Sequence, residues 1–87
     1  MKELTYFRLS YCPYCRRANE YLEELKQENP EYCKIPIRII DEEQEPGIAD
    51  QYDYWYVPCF FMGDKKLHEG AATKENIKNV LNKALEK

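Results

Sequence analysis

No stretch of this chain approaches the roughly 18 consecutive apolar residues that a membrane-spanning helix needs. No charged segment followed by an apolar run stands near its start, so no secretory leader is expected either. A surplus of basic charge is missing too. Lysine and arginine number 13 against 16 acids, interspersed, for a net charge of −3, which argues against a nucleic-acid-binding face. Histidine occurs once, at His68, so a metal site would have to be built largely from cysteines. There is no internal repeat, linker or low-complexity tract. These absences leave a cytoplasmic, monomeric protein as the expectation, with one domain over residues 1–87. A domain of this size buries only about 60–65% of its unfolded-chain surface, so its core is small.

What is present is four cysteines, at positions 12, 15, 33 and 59. In a reducing compartment cysteines point to catalysis or metal binding rather than to structural staples. Two of them form Cys12-Pro13-Tyr14-Cys15. Leu4 to Leu9 ahead of it is rich in β-formers and reads as strand 1. Behind it a helix is expected from Pro13 to Glu28, with Cys15, Ala18, Leu22 and Leu25 as its buried stripe, widened by Tyr21. Asn29-Pro30 ends that helix, since a residue before proline avoids helical dihedrals. Cys12 is then the N-cap and Cys15 lies one turn in. A helix start carries unpaired N–H groups and about half a positive charge. Both stabilise a thiolate, the nucleophile of sulfur chemistry. Pro13 suits the first helical position, where its missing N–H has no partner to lose.

The remaining pattern is short. Lys34 to Ile40 is strand 2, and Pro36 inside it demands an edge position or a place at its start. A second helix begins near Pro46 and carries Ile48, Ala49 and Tyr52. Val57 to Met62 is strand 3, joined by a turn at Gly63-Asp64 to strand 4, Lys65 to His68. Thr73 caps a last helix whose stripe is Ile77, Val80, Leu81, Ala84 and Leu85. Strands 1 and 2 are expected parallel, and strands 3 and 4 antiparallel.

Cys12-Pro13-Tyr14-Cys15 resembles the active-site motif of glutaredoxins, within the thioredoxin superfamily. Nearly the whole chain shares in the likeness. Val57-Pro58 is similar to that superfamily's cis-proline loop, and the stretches from Glu45 to Tyr52 and from Gly70 to Lys74 look like thioredoxin. The resemblance implies an α/β thioredoxin fold, strand–helix–strand–helix–strand–strand–helix. Its mixed sheet of four strands runs in order 2-1-3-4 with helices on both faces. It implies a thiol–disulfide oxidoreductase with Cys12 as nucleophile, Cys15 as resolving thiol and no bound cofactor. The partners implied are a disulfide-containing substrate and, as reductant, glutathione or a thioredoxin reductase. Substrate-binding positions implied are Arg8, Pro13, Tyr14, Val57, Pro58, Gly70 and Ala71. Thr73 and Lys74 stand where glutaredoxins carry the acidic or Ser-Asp pair that holds glutathione.

Other readings of the thiols are set beside this one. Cys12 and Cys15 could be half of a zinc site, for which the second pair must come from Cys33, Cys59 and His68. Cys33 lies about one helix length away. A shared iron–sulfur cluster is a further alternative. Cys59 follows Pro58 directly, and strand alternation turns it away from Cys12, which favours a small buried hydrophobe over a third redox thiol. His68 is expected to face solvent. Tyr11, Tyr14, Tyr54, Trp55 and Tyr56 are expected either to rim the thiols or to join the core.

Overall fold

The computed structural model describes residues 2–86. Its elements are β1 (Leu4–Arg8), α1 (Pro13–Glu28), β2 (Ile37–Asp41), α2 (Pro46–Ala49), β3 (Cys59–Met62), β4 (Lys65–Glu69) and α3 (Lys74–Leu85). They form one mixed sheet in the order β2-β1-β3-β4. β1 and β2 are parallel with Leu4 opposite Ile37, while β3 runs antiparallel to both β1 and β4. No helix among the described residues is long and apolar enough to cross a membrane.

Side-chain alternation divides the sheet into two apolar faces. Leu4, Tyr6 and Phe60 point to one side, where Ala18, Leu22 and Leu25 of α1 and Ile77, Val80, Leu81 and Ala84 of α3 cover them. Phe7, Ile40, Cys59 and Phe61 point to the other side, where Ile48 and Ala49 of α2 meet them together with Tyr52, Tyr54 and Val57. Tyr6 and Phe60 stack across neighbouring strands with ring centroids 4.5 Å apart. α1 ends where expected. The Asn29 N–H still reaches Leu25, but the residue is already extended.

Several boundaries differ from the sequence expectation. β2 runs one residue past Ile40, to Asp41, which pairs with Arg8, and β4 one past His68, to Glu69, which pairs with Cys59. α2 stops at Ala49, so Tyr52 lies beyond it. β2 starts at Ile37 rather than Lys34. Asn29 accepts from the Glu31 N–H at 3.1 Å and caps a 3-10 turn over Pro30–Lys34, so those residues are coiled. Pro36 sits just outside β2, and its carbonyl receives the Leu4 N–H at 2.9 Å. β3 starts at Cys59 rather than Val57, because Pro58 has no N–H to give a ladder. β1 stops one residue short of Leu9, at Arg8. Gly63 heads the hairpin turn with φ of +65°, a region open to glycine at little cost. Thr73 and Asn76 form a reciprocal capping box at the start of α3.

Phe60 is fully buried at the meeting of β1, β3 and both long helices. Phe60→Ala should lower stability by about 3–5 kcal/mol, a large share of the total for so small a domain. Urea unfolding followed by far-UV circular dichroism measures it. A loss below about 1 kcal/mol would mean that the site repacks freely.

Candidate active site

β1 delivers the chain to Leu9, whose carbonyl receives the Cys12 N–H at 3.3 Å. Cys12 is extended (φ −83°, ψ 121°), Pro13 follows as the first helical residue, and Arg16 N–H closes the first turn onto the Cys12 carbonyl at 3.0 Å. This is an N-cap in which sulfur takes the place usually held by an oxygen. Cys12 Sγ accepts the Cys15 N–H at 3.3 Å. The sulfur therefore sits among the unpaired amides at the positive end of α1, a place that favours negative charge. At 9% exposure Cys12 is the reachable thiol of the two. Cys15 is only 1% exposed.

Burial pushes the Cys15 thiol up to about 12, with the hydrogen bond to Cys12 adding to the rise and a hydrogen bond from the Leu9 backbone opposing it. Cys15 is thus held as a neutral thiol one turn behind Cys12. Beneath it the Tyr6 hydroxyl donates to Asn19 Oδ1 at 2.8 Å, with the Cys15 carbonyl 3.3 Å away. That contact ties the first two turns of α1 to the centre of the sheet.

The other expected site residues fall into two groups. The Val57–Pro58 peptide is cis. Phe7 pairs with Cys59, so Pro58 lies one step further along, at the end of the sheet where β1 gives way to Cys12. The Pro58 carbonyl receives the Gly70 N–H at 2.8 Å, and Gly70 has φ of +90° with the Tyr56 Cβ 3.7 Å from where its own Cβ would stand. Gly70 and Ala71 are in this way brought to the proline corner. Arg8 departs from that group. It alternates with Phe7 and lines a groove between α1 and β2 together with Asn19, Leu22, Glu23, Ile37 and Ile39. Pro13 and Tyr14 are exposed at the start of α1.

Four of the five expected rim aromatics, Tyr11, Tyr14, Trp55 and Tyr56, are exposed. Tyr54 is not part of any rim. It stacks on Phe7 at 4.7 Å, because the α2 face has room for a ring between Phe7 and Phe61. Cys59 is fully buried on that same face, and burial, with Glu69 adding, raises its thiol to about 12. Cys33 is exposed in the 3-10 turn, its sulfur 3.7 Å from the Lys26 carbonyl. His68, expected to face solvent, is half-buried with Nε2 at 3.1 Å from the Gly70 carbonyl and 3.2 Å from that of Ala71. Among the described residues no three His, Cys, Asp or Glu side chains gather in a way that could hold a metal ion.

Known structures share this architecture. A thioredoxin from Plasmodium falciparum superposes with a TM-score of 0.70 at 17% identity, over 93% of this chain and 78% of that one. A thioredoxin from Fasciola hepatica gives 0.68 at 20% identity, over 94% and 79%. A malarial protein gives 0.69 at 14% identity, over 97% of both chains. The chain has the thioredoxin fold. No protein-family model matches it, and no curated protein does. In this thioredoxin fold the strand order and the helices on both faces agree with what the resemblance implied.

Two features of the site carried no signal in the sequence. Tyr6 reads as a strand residue like its neighbours, and only the packing of α1 shows its hydroxyl under Cys15. Glu69 falls just past the expected end of strand 4 and stands out in no pattern, yet its carboxylate accepts from the N–H groups of both Trp55 and Tyr56.

The buried thiols set a pH dependence. Below the ordinary thiol value of 9.0, Cys15 and Cys59 are neutral in folded and unfolded chains alike, and stability is fully present. Between 9.0 and about 12 only the unfolded chain ionises them, so stability falls as pH rises. Cys59→Ala should flatten that fall relative to the parent. Denaturant titrations of the reduced proteins across this range decide it, and parallel curves would show that Cys59 is not shielded.

Proposed function

We propose that this protein is a thiol–disulfide oxidoreductase that reduces disulfides of proteins or small molecules by a two-cysteine cycle in the cytoplasm. The observation that carries this reading is the Cys12 sulfur capping α1, with the neutral thiol of Cys15 buried one turn behind it. The Cys12 thiolate attacks one sulfur of the substrate disulfide. The substrate S–S bond breaks, its other sulfur leaves as a thiolate and takes up a proton, and a mixed disulfide joins Cys12 to the substrate. Cys15 then gives up its proton and attacks Cys12 Sγ. The second substrate thiol is released, and a Cys12–Cys15 disulfide remains. Two electrons have passed to the substrate, and a reductant must return two to the protein.

Each sulfur suits its part. The amides at the start of α1 stabilise Cys12 as a thiolate, both when it attacks and when it departs from the mixed disulfide. Cys15, kept protonated by burial, does not compete for the incoming disulfide and reacts only once its neighbour is occupied. Val57–Pro58, Gly70, Ala71, Pro13 and Tyr14 are proposed to receive the substrate, with the Val57 backbone pairing to an extended segment of it. The groove position of Arg8 supports a part in substrate binding less well.

The reductant is proposed to be a thioredoxin reductase rather than glutathione. At the start of α3 the Thr73 hydroxyl is used by the Asn76 N–H, and the Lys74 ammonium is engaged by Glu24 and Glu28 of α1. Neither side chain offers a carboxylate to the ammonium of glutathione.

Cys12→Ser should abolish insulin reduction. Cys15→Ser should still attack and should accumulate a mixed disulfide visible by non-reducing electrophoresis and intact mass. A Cys12→Ser variant with full activity would remove the mechanism. Running the parent with glutathione and glutathione reductase, and separately with NADPH and thioredoxin reductase, should give turnover in the second assay. Turnover only in the first would reverse the choice of reductant.

A further inference from the structure

The segment that leads into Val57–Pro58 forms neither helix nor strand, yet it displays the two most exposed large aromatics of the chain, Trp55 at 84% and Tyr56 at 70%. One side chain bonds its backbone twice. The backbone N–H groups of Trp55 and Tyr56 both donate to Oε2 of Glu69, the second at 3.0 Å. The other carboxylate oxygen accepts from Lys66 Nζ at 2.8 Å. Hydrogen bonds from amides to a carboxylate are charge-assisted and about twice as strong as neutral ones. The ion pair with Lys66 is exposed and contributes little by itself, but it fixes where the carboxylate lies.

A register shift explains how Glu69 reaches this loop. Phe60 pairs with His68 but Phe61 pairs with Lys66, which leaves Leu67 as an extra residue on β4. In a regular strand, residues three apart point to opposite faces. The bulge shifts the alternation by one, so Lys66 and Glu69 share a face. Glu69 pairs with Cys59, whose side chain lies on the α2 side, and the loop carrying Trp55 and Tyr56 runs on that side. Leu67 packs instead toward α1 and α3. The next residue, Gly70, holds the Pro58 carbonyl at 2.8 Å. Glu69 and Gly70 together therefore fix the loop at 55, 56 and 58.

We propose that Glu69 is the positioning residue of a polypeptide-docking loop: by holding the Trp55 and Tyr56 amides, it turns both rings outward at the dithiol end of the sheet and aligns the Val57 backbone for a substrate segment. This rests on Cys12 and Cys15 exchanging disulfides as described above. The substrates that need Glu69 are disulfide-containing polypeptides, whose apolar side chains flanking the cystine lie over the two rings. A small disulfide reaches Cys12 without touching the loop and does not need it.

The test uses the full chain with dithiothreitol as reductant, insulin as the polypeptide substrate and bis(2-hydroxyethyl) disulfide as the small one. Glu69→Ala should raise KM for insulin and lower kcat/KM about tenfold, the scale of a lost charge-assisted hydrogen bond, with kcat and the small-disulfide reaction within about twofold of the parent. Trp55 is the sole tryptophan, so its fluorescence anisotropy should fall in the same variant. Glu69→Gln keeps an acceptor oxygen and should recover most of both losses. Trp55→Ala with Tyr56→Ala leaves the clamp in place and should show the same insulin-specific loss even if Glu69→Ala does not fold. Equal losses on both substrates, or no loss on insulin in either variant, overturn the proposal. A parent inactive on both substrates instead sinks the dithiol reading, and this one with it.

Discussion

One hydrogen bond organises the candidate active site: the Cys15 N–H donating to the Cys12 sulfur at the head of α1. It places a polarisable, ionisable atom where a helix leaves its amides unpaired, and it makes the cap of the helix and the candidate nucleophile the same atom. The bond exists only because α1 begins at Pro13, and α1 stays in place only because its stripe is buried against β1 and β3. Tyr6 links the two levels. It stacks on Phe60 in the core and reaches Asn19 and the Cys15 carbonyl with its hydroxyl. The core and the first turns of α1, where both cysteines stand, are thus joined by one side chain.

The division of the sheet into two faces assigns different fates to similar residues. Cys15 and Cys59 are both buried, and both thiols are raised by desolvation. Cys15 belongs to α1 and sits a turn from Cys12, whereas Cys59 belongs to β3 and packs with Phe7 and Phe61 on the α2 side. On the α2 side itself, Tyr54 stacks inside while Trp55 and Tyr56 turn out to solvent. A run of three aromatics therefore supplies both a core ring and a surface.

Much of this was legible in the residues. The 3.6 period of Cys15, Ala18, Leu22 and Leu25, a proline at the first helical position and Asn29-Pro30 at the end bounded α1 correctly. The period is strong and both ends carry chemical stops. Pro36 was read correctly as a constraint on strand 2, and Val57-Pro58 as a cis peptide, but Pro58 was placed inside strand 3, and each strand began later than expected. Proline forbids a ladder bond without saying where the ladder resumes, and Asn29 could cap a turn that hydropathy does not reveal. His68 was misjudged as solvent-facing, because its ring turns back onto the Gly70 and Ala71 carbonyls just after it. Tyr54 took the core place of the two left open for it, because Phe7, far away in the chain, offers a ring to stack on.

The sequence by itself determined the local facts: two thiols a turn apart at a helix start, the order of the elements, and which side chains are apolar. These follow from dihedral preferences and periodicity, which act over a few residues. The tertiary structure alone decided that Tyr6 lies under Cys15, that Arg8 faces a groove away from the proline corner, and that a bulge at Leu67 turns Glu69 toward Trp55 and Tyr56. Those contacts join residues far apart in the chain, and they depend on register and sheet face. A shift of one residue would reverse every one of them, and register is set by the packing of the whole sheet rather than by any single stretch.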